Sequence, residues 1–81
     1  MRTLLYFTAS WCGPCRMLGP VMQQVSEQIP VTKIDIDSNK DKAVQYGIRS
    51  VPTVVLVENG KEVSRVVGAH SYSDYLKLYR S

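Results

Sequence analysis

Two runs rich in β-branched residues, 53–58 and 62–67, are joined through Asn59-Gly60, and that dipeptide fixes how they relate. A two-residue hairpin turn needs positive φ at both positions, which asparagine and glycine tolerate, and it returns the chain alongside itself. The two runs are therefore neighbouring antiparallel strands. Upstream, residues 4–9 form a short, nearly continuous apolar run that suits a central strand covered on both faces. Residues 31–37 alternate as a second strand, with Ile34 and Ile36 on one face and Val31, Lys33 and Asp35 on the other.

Helical spacing fills the intervals. Cys15, Leu18, Met22, Val25 and Ile29 recur at threes and fours, Pro14 suits the first helical position, Pro20 should kink the helix, and Pro30 ends it after Ile29. Ser38-Asn39-Lys40-Asp41 opens a short crossover helix with Asn39 or Ser38 as its cap, closed by Gly47 after Tyr46. Gly68-Ala69 breaks the last strand, Ser71 to Asp74 resembles a capping box, and Tyr72, Tyr75, Leu76 and Tyr79 form a stripe on a final helix. The order βαβαββα implies an α/β fold: a four-stranded mixed sheet with helices on both faces. No repeat or linker interrupts it, so the expectation is one domain over residues 1–81.

Composition narrows the function classes. The net charge is +3, and the ten Lys and Arg residues are scattered from Arg2 to Arg80 without a stripe, which argues against nucleic-acid binding. No apolar run reaches the length of a membrane span, and Met1-Arg2-Thr3 leads directly into Leu4-Leu5-Tyr6-Phe7 without the regions of a signal peptide. The chain reads as a soluble cytoplasmic protein, expected to be a monomer with no membrane partner.

Both cysteines lie in Trp11-Cys12-Gly13-Pro14-Cys15, between a strand-like and a helix-like run. As a brace their disulfide is weak: the chain-entropy relation gives about 2 kcal/mol for so short a loop, against about 4.7 kcal/mol for one of a hundred residues. A cross-link that stabilises so little suits one that opens and closes. Unpaired N–H groups at the helix start favour a thiolate at Cys12, the candidate nucleophile. Cys15, one turn further along on the core stripe, is shielded and is the candidate resolving thiol. An inert disulfide and half of a zinc site are the competing readings, although His70 is the only other soft ligand the chain offers and zinc usually takes four. His70 otherwise reads as an ordinary loop residue.

Taken together, these segments resemble the thioredoxin family along almost the whole chain. Phe7-Thr8-Ala9-Ser10-Trp11-Cys12-Gly13-Pro14-Cys15-Arg16 is similar to its active-site segment, and Pro20 to its kink proline. Tyr46-Gly47-Ile48-Arg49-Ser50-Val51-Pro52-Thr53 resembles its cis-proline loop, and Asn59-Gly60 with Val67-Gly68-Ala69 its closing hairpin and groove loop. The resemblance implies a protein-disulfide oxidoreductase in which Cys12 attacks and Cys15 resolves, with no metal or bound organic cofactor.

By the same resemblance, Val51-Pro52 is a cis bond facing the cysteines, and an extended substrate segment pairs with the backbone of Val51 as an added strand. Trp11, Gly13, Pro14, Val51, Pro52, Gly68 and Ala69 form the contact surface around an outward-facing Cys12, and Asp37 accepts a hydrogen bond from the Trp11 indole. Partners are disulfide-containing proteins and an NADPH-dependent thioredoxin reductase. Glutathione is the alternative electron source, because the short chain is closer in size to a glutaredoxin. A non-enzymatic role as a subunit or clamp of a larger enzyme is the competing class.

Two departures from the family pattern stand out. The chain starts at the active-site strand, which leaves residues 31–37 as a sheet edge. Tyr6 occupies the position of the family's buried Asp, which is credited with helping to deprotonate the resolving cysteine, while Lys33 matches the lysine that accompanies it. Asp35, two residues from Lys33 on the same strand face, is the candidate to take over part of that role.

Overall fold

The sheet is built outward from β1 (Arg2–Thr8), flanked on one side by β2 (Val31–Asp35) and on the other by β3 (Thr53–Glu58), with β4 (Lys61–Val67) beyond β3. This is a computed structural model, and it describes residues 1–81. β1 runs parallel to β2, with Tyr6 beside Lys33, and antiparallel to β3, with Leu4 opposite Leu56. Three helices complete the βαβαββα order: α1 (Gly13–Ser26), α2 (Lys40–Gln45) and α3 (Tyr72–Arg80).

The continuous apolar run of β1 is explained by its burial on both faces. Leu4 and Tyr6 join Leu18, Met22 and Val25 of α1 and Tyr75 and Leu78 of α3 in one cluster. Leu5 and Phe7 point the other way, into a second cluster with Ile34, Val55 and Val57. Successive residues of a strand face opposite sides, so one strand nucleates both cores. α1 and α3 share one face. On the other, α2 has no buried residue of its own, and Tyr46, Ile48 and Val51 after it provide the cover. The rings of Phe7 and Tyr46 meet at 5.7 Å in a tilted arrangement.

Local signals set most boundaries. Asn59 and Gly60 take φ of 53° and 82°, the left-handed pair that a two-residue hairpin requires. β4 begins at Lys61, one residue before the start expected from sequence, and a bulge between Leu56 and Val57 leaves Val63 half-exposed. α3 opens with the expected capping box: the Ser71 hydroxyl accepts from Asp74 N–H, and the Asp74 carboxylate accepts from Ser71 N–H.

Four expectations are corrected. α1 ends at Ser26, because the N–H groups of Gln28 and Ile29 both turn back to Val25 O; Ile29 still packs on the core, from the turn that follows. β2 stops at Asp35, whose carboxylate accepts from the N–H groups of Asp37 and Ser38 and bends the chain. Asn39 occupies the cap position of α2 without capping it, since its amide donates instead to Asp35 O at 3.1 Å. On α3 the core positions are Tyr75 and Leu78, and Leu76, counted in the stripe, lies about 100° round the helix from Tyr75 and is only half-buried.

Candidate active site

Cys12 is the N-cap of α1, in extended conformation, and Cys15 lies in the first turn. Pro14 needs no hydrogen-bond acceptor there because it has no N–H to satisfy. The two cysteines are joined as a disulfide, and the N–H of Cys15 donates to Cys12 Sγ at 3.2 Å. This donor, together with the positive end of the helix, is the local field that favours negative charge on Cys12 once the bond opens.

The outward-facing Cys12 expected from sequence is corrected by its surroundings: in the disulfide form it is 4% exposed, hardly more than Cys15 at 3%. The cover comes from elsewhere in the chain, since Ile36 and Val51 pack against the cluster of Ala9, Cys12 and Cys15. Cys12 Sγ lies 3.6 Å from Val51 O, a contact that becomes a hydrogen bond only when the sulfur carries a proton. The exposed ground around the pair is supplied by Trp11, Gly13 and Pro14.

Trp11 is 62% exposed but not free, because its indole N–H donates to Asp37 Oδ2 at 2.9 Å, the contact expected from sequence. Val51-Pro52 is a cis peptide, also as expected. Pro52 is fully buried, so it cannot itself be a contact surface; Val51, half-buried, is the exposed member of the pair. Gly68 N–H donates to Pro52 O at 2.8 Å and brings Gly68 and Ala69 alongside. Gly68 has φ of 85°, a backbone that side-chain-bearing residues rarely adopt.

Behind Cys15, the Tyr6 hydroxyl donates to the Cys15 carbonyl at 3.1 Å. Tyr6, Cys15, Lys33 and Asp35, with Ser10 and Arg16, line a cavity of about 290 Å³, room for several waters at about 30 Å³ each. Lys33 is exposed on edge strand β2, and Asp35 is half-buried with one carboxylate oxygen engaged in the turn after β2. Tyr6, Cys15, Lys33 and Asp35, linked in the sequence, thus line one cavity, whereas the bond Tyr6 makes and the burial of Cys12 were not expected. His70 sits in the loop after Gly68-Ala69, its Nε2 at 3.0 Å from Val67 O and its Nδ1 at 3.7 Å from Asp74 Oδ2.

The thioredoxin family model matches residues 1–80. The chain belongs to the thioredoxin family. Thioredoxin from Chlamydia trachomatis serovar D is 44% identical to it over 78 residues, covering 93% of this chain and 76% of its own length. Thioredoxin 1 of Synechococcus elongatus is 50% identical over 70 residues, and the match spans 82% of this chain and 65% of that protein. Among solved structures, a mutant thioredoxin from Halobacterium salinarum NRC-1 superposes with a TM-score of 0.91 at 43% identity, over 98% of this chain and 72% of that one. Fasciola hepatica thioredoxin gives 0.89 at 30% identity, over 98% and 78%. A thioredoxin-family chain with its two cysteines joined at the start of α1 has the chemistry of a thiol-disulfide oxidoreductase. No helix of this thioredoxin-family chain is long and apolar enough to cross a membrane.

Proposed function

We propose that this chain, acting as a monomeric single domain in a reducing cytoplasm, reduces disulfides in partner proteins. The observation that carries the reading is the Cys12–Cys15 disulfide at the N-terminus of α1, with Cys15 N–H donating to Cys12 Sγ. In the reduced protein the Cys12 thiolate attacks one sulfur of the substrate disulfide. The substrate S–S bond breaks, its departing thiolate takes up a proton, and a mixed disulfide forms. Cys15 then loses its proton and attacks Cys12 Sγ, releasing the second substrate thiolate and leaving Cys12–Cys15 oxidised. Two electrons pass to the substrate in each cycle.

The neighbouring residues take supporting roles in this reading. Trp11, held by Asp37, together with Gly13 and Pro14, forms one wall of the contact surface. Val51 offers backbone to an extended substrate segment, with Pro52 setting its position and Gly68-Ala69 opposite. Tyr6 carries no carboxylate, so the Cys15 proton leaves through the cavity that Cys15 shares with Asp35 and Lys33. Asp35 is the acceptor in this route. An NADPH-dependent thioredoxin reductase returns the pair to the dithiol.

An insulin-type reduction assay with Cys12→Ser and Cys15→Ser variants tests the assignment. Both variants should lose turnover, and only Cys15→Ser should trap a mixed disulfide, through Cys12. Trapping by Cys12→Ser alone would reverse the roles, and a wild-type protein unable to reduce insulin would end the reading. Asp35→Asn should slow the resolving step at neutral pH and move its rise with pH to more alkaline values, and an unchanged pH profile removes Asp35 from the proton route. Faster recycling by glutathione than by the reductase would change the assigned electron donor.

A further inference from the structure

Tyr75 is the one completely buried residue of α3, and it brings a hydroxyl into the core cluster. A buried phenol needs partners for its hydroxyl, and where it finds them shows what it holds. The Tyr75 hydroxyl accepts from His70 N–H at 3.0 Å and lies 3.4 Å from Gly68 O, to which it donates. One oxygen thus grips both ends of the segment Gly68-Ala69-His70. His70 adds a second tie, with Nε2 at 3.0 Å from Val67 O and its ring edge-on to that of Tyr75 at 6.2 Å.

The grip continues into the site. Gly68 N–H donates to Pro52 O at 2.8 Å, and the preceding carbonyl, Val51 O, is the one 3.6 Å from Cys12 Sγ. A route of short contacts therefore runs from α3 through the Gly68 loop to the backbone that borders the nucleophile. Burial pushes the Tyr75 phenol above its ordinary value, which keeps the proton on the hydroxyl and the donor role intact at neutral pH.

We propose that Tyr75 is a positioning residue for protein substrates: its hydroxyl sets the height of the Gly68-Ala69 wall against Val51, and so the width of the groove beside Cys12. The proposal rests on the reading that Val51 and Gly68-Ala69 contact the substrate. It assigns Tyr75 no part in the sulfur chemistry.

Tyr75→Phe keeps the ring and removes only the grip. KM for insulin should rise about three- to tenfold, the equivalent of one neutral hydrogen bond, with kcat unchanged within about twofold. Reduction of a small aromatic disulfide, which reaches Cys12 without filling the groove, should proceed at the wild-type rate. Tyr75→Leu should show the same rise in KM together with a lower Tm. A rise confined to Tyr75→Leu would assign the effect to packing and overturn the proposal, as would equal slowing toward both disulfides or an unchanged KM in Tyr75→Phe. If wild type reduces neither disulfide, the functional reading falls and takes the proposal with it; if wild type is active and Tyr75→Phe is unchanged, the proposal falls alone.

Discussion

Tyr6 reaches from β1 to donate its phenolic proton to the carbonyl oxygen of Cys15, 3.1 Å away, in the buried core beneath α1. The bond fixes the first turn of α1 to the central strand without placing a charge there. The helix that carries both cysteines is therefore braced by a neutral donor at the position where the family pattern has a carboxylate. Tyr6 also packs with Leu4, Leu18, Met22 and Tyr75, so the same side chain supplies core volume and active-site support.

Variants at Tyr6 separate these two contributions. Tyr6→Phe retains the ring and should cost about 0.5–1.5 kcal/mol in denaturant unfolding, the usual net worth of one hydrogen bond. Tyr6→Asp removes the ring and puts an acid among apolar neighbours, so its cost should be at least the ~3–5 kcal/mol of a large-to-small core substitution. A chain of this size has only about 4–12 kcal/mol of total stability, so Tyr6→Asp should be close to unfolding. A Tyr6→Asp protein as stable as wild type would show that the site accommodates an acid after all.

The Trp11–Asp37 bond holds an exposed aromatic in place, and Trp11 is the only tryptophan in the chain. Its fluorescence therefore reports on the contact without interference. Asp37→Ala should lower the anisotropy of Trp11 emission and slow insulin reduction about two- to threefold, consistent with about 0.5 kcal/mol from a solvent-exposed hydrogen bond. Unchanged anisotropy would mean that the indole is fixed by something other than Asp37.

Features set by a few neighbouring residues could be read from the sequence. Asn59-Gly60 specified the hairpin because the backbone angles it needs are available to those two residue types, and Ser71 with Asp74 specified the helix start because the capping bonds are local. The cysteine pair was legible for the same reason. Cys12's burial was not, because Ile36 and Val51, which pack against its cluster, arrive from distant parts of the chain. The partners of the Tyr6 and Tyr75 hydroxyls were hidden for a related reason: periodicity locates the face of a side chain but not the backbone atom its polar end will meet. The exposure of Lys33 was not legible either, because an alternating strand does not say which face is covered.

Ser71 starts the helix that carries Tyr75, so its cap has consequences for the groove. Ser71→Ala removes the acceptor for Asp74 N–H and should cost about 1 kcal/mol, within the usual range for a lost N-cap. Amide exchange should quicken in the first turn of α3 and at His70, while the β1 amides keep their protection. Equal loss of protection throughout the molecule would mean that α3 does not loosen separately from the sheet.

Arg65 on β4 makes two hydrogen bonds to the Glu62 carboxylate, at 2.6 and 2.7 Å, and a third to Tyr46 O at 2.6 Å. It thereby ties the end of α2 to the far edge of the sheet. The Arg65 hydrogen bond, reinforced by its charge, holds the Glu62 carboxyl below the ordinary glutamate value. A carboxyl depressed in the folded state binds protons more readily when unfolded. Its stabilisation is therefore fully present above the unfolded value, near 4.3, and is lost as pH falls through the lower folded value. Both side chains are about a third exposed, which limits the pair to about 0.5–1 kcal/mol. Glu62→Gln should be less stable than wild type by that amount at pH 7, and the gap should narrow in parallel denaturation curves as pH falls below the unfolded value of about 4.3. A gap that persisted undiminished at pH 3 would place the stabilisation in side-chain packing and not in the charge on Glu62.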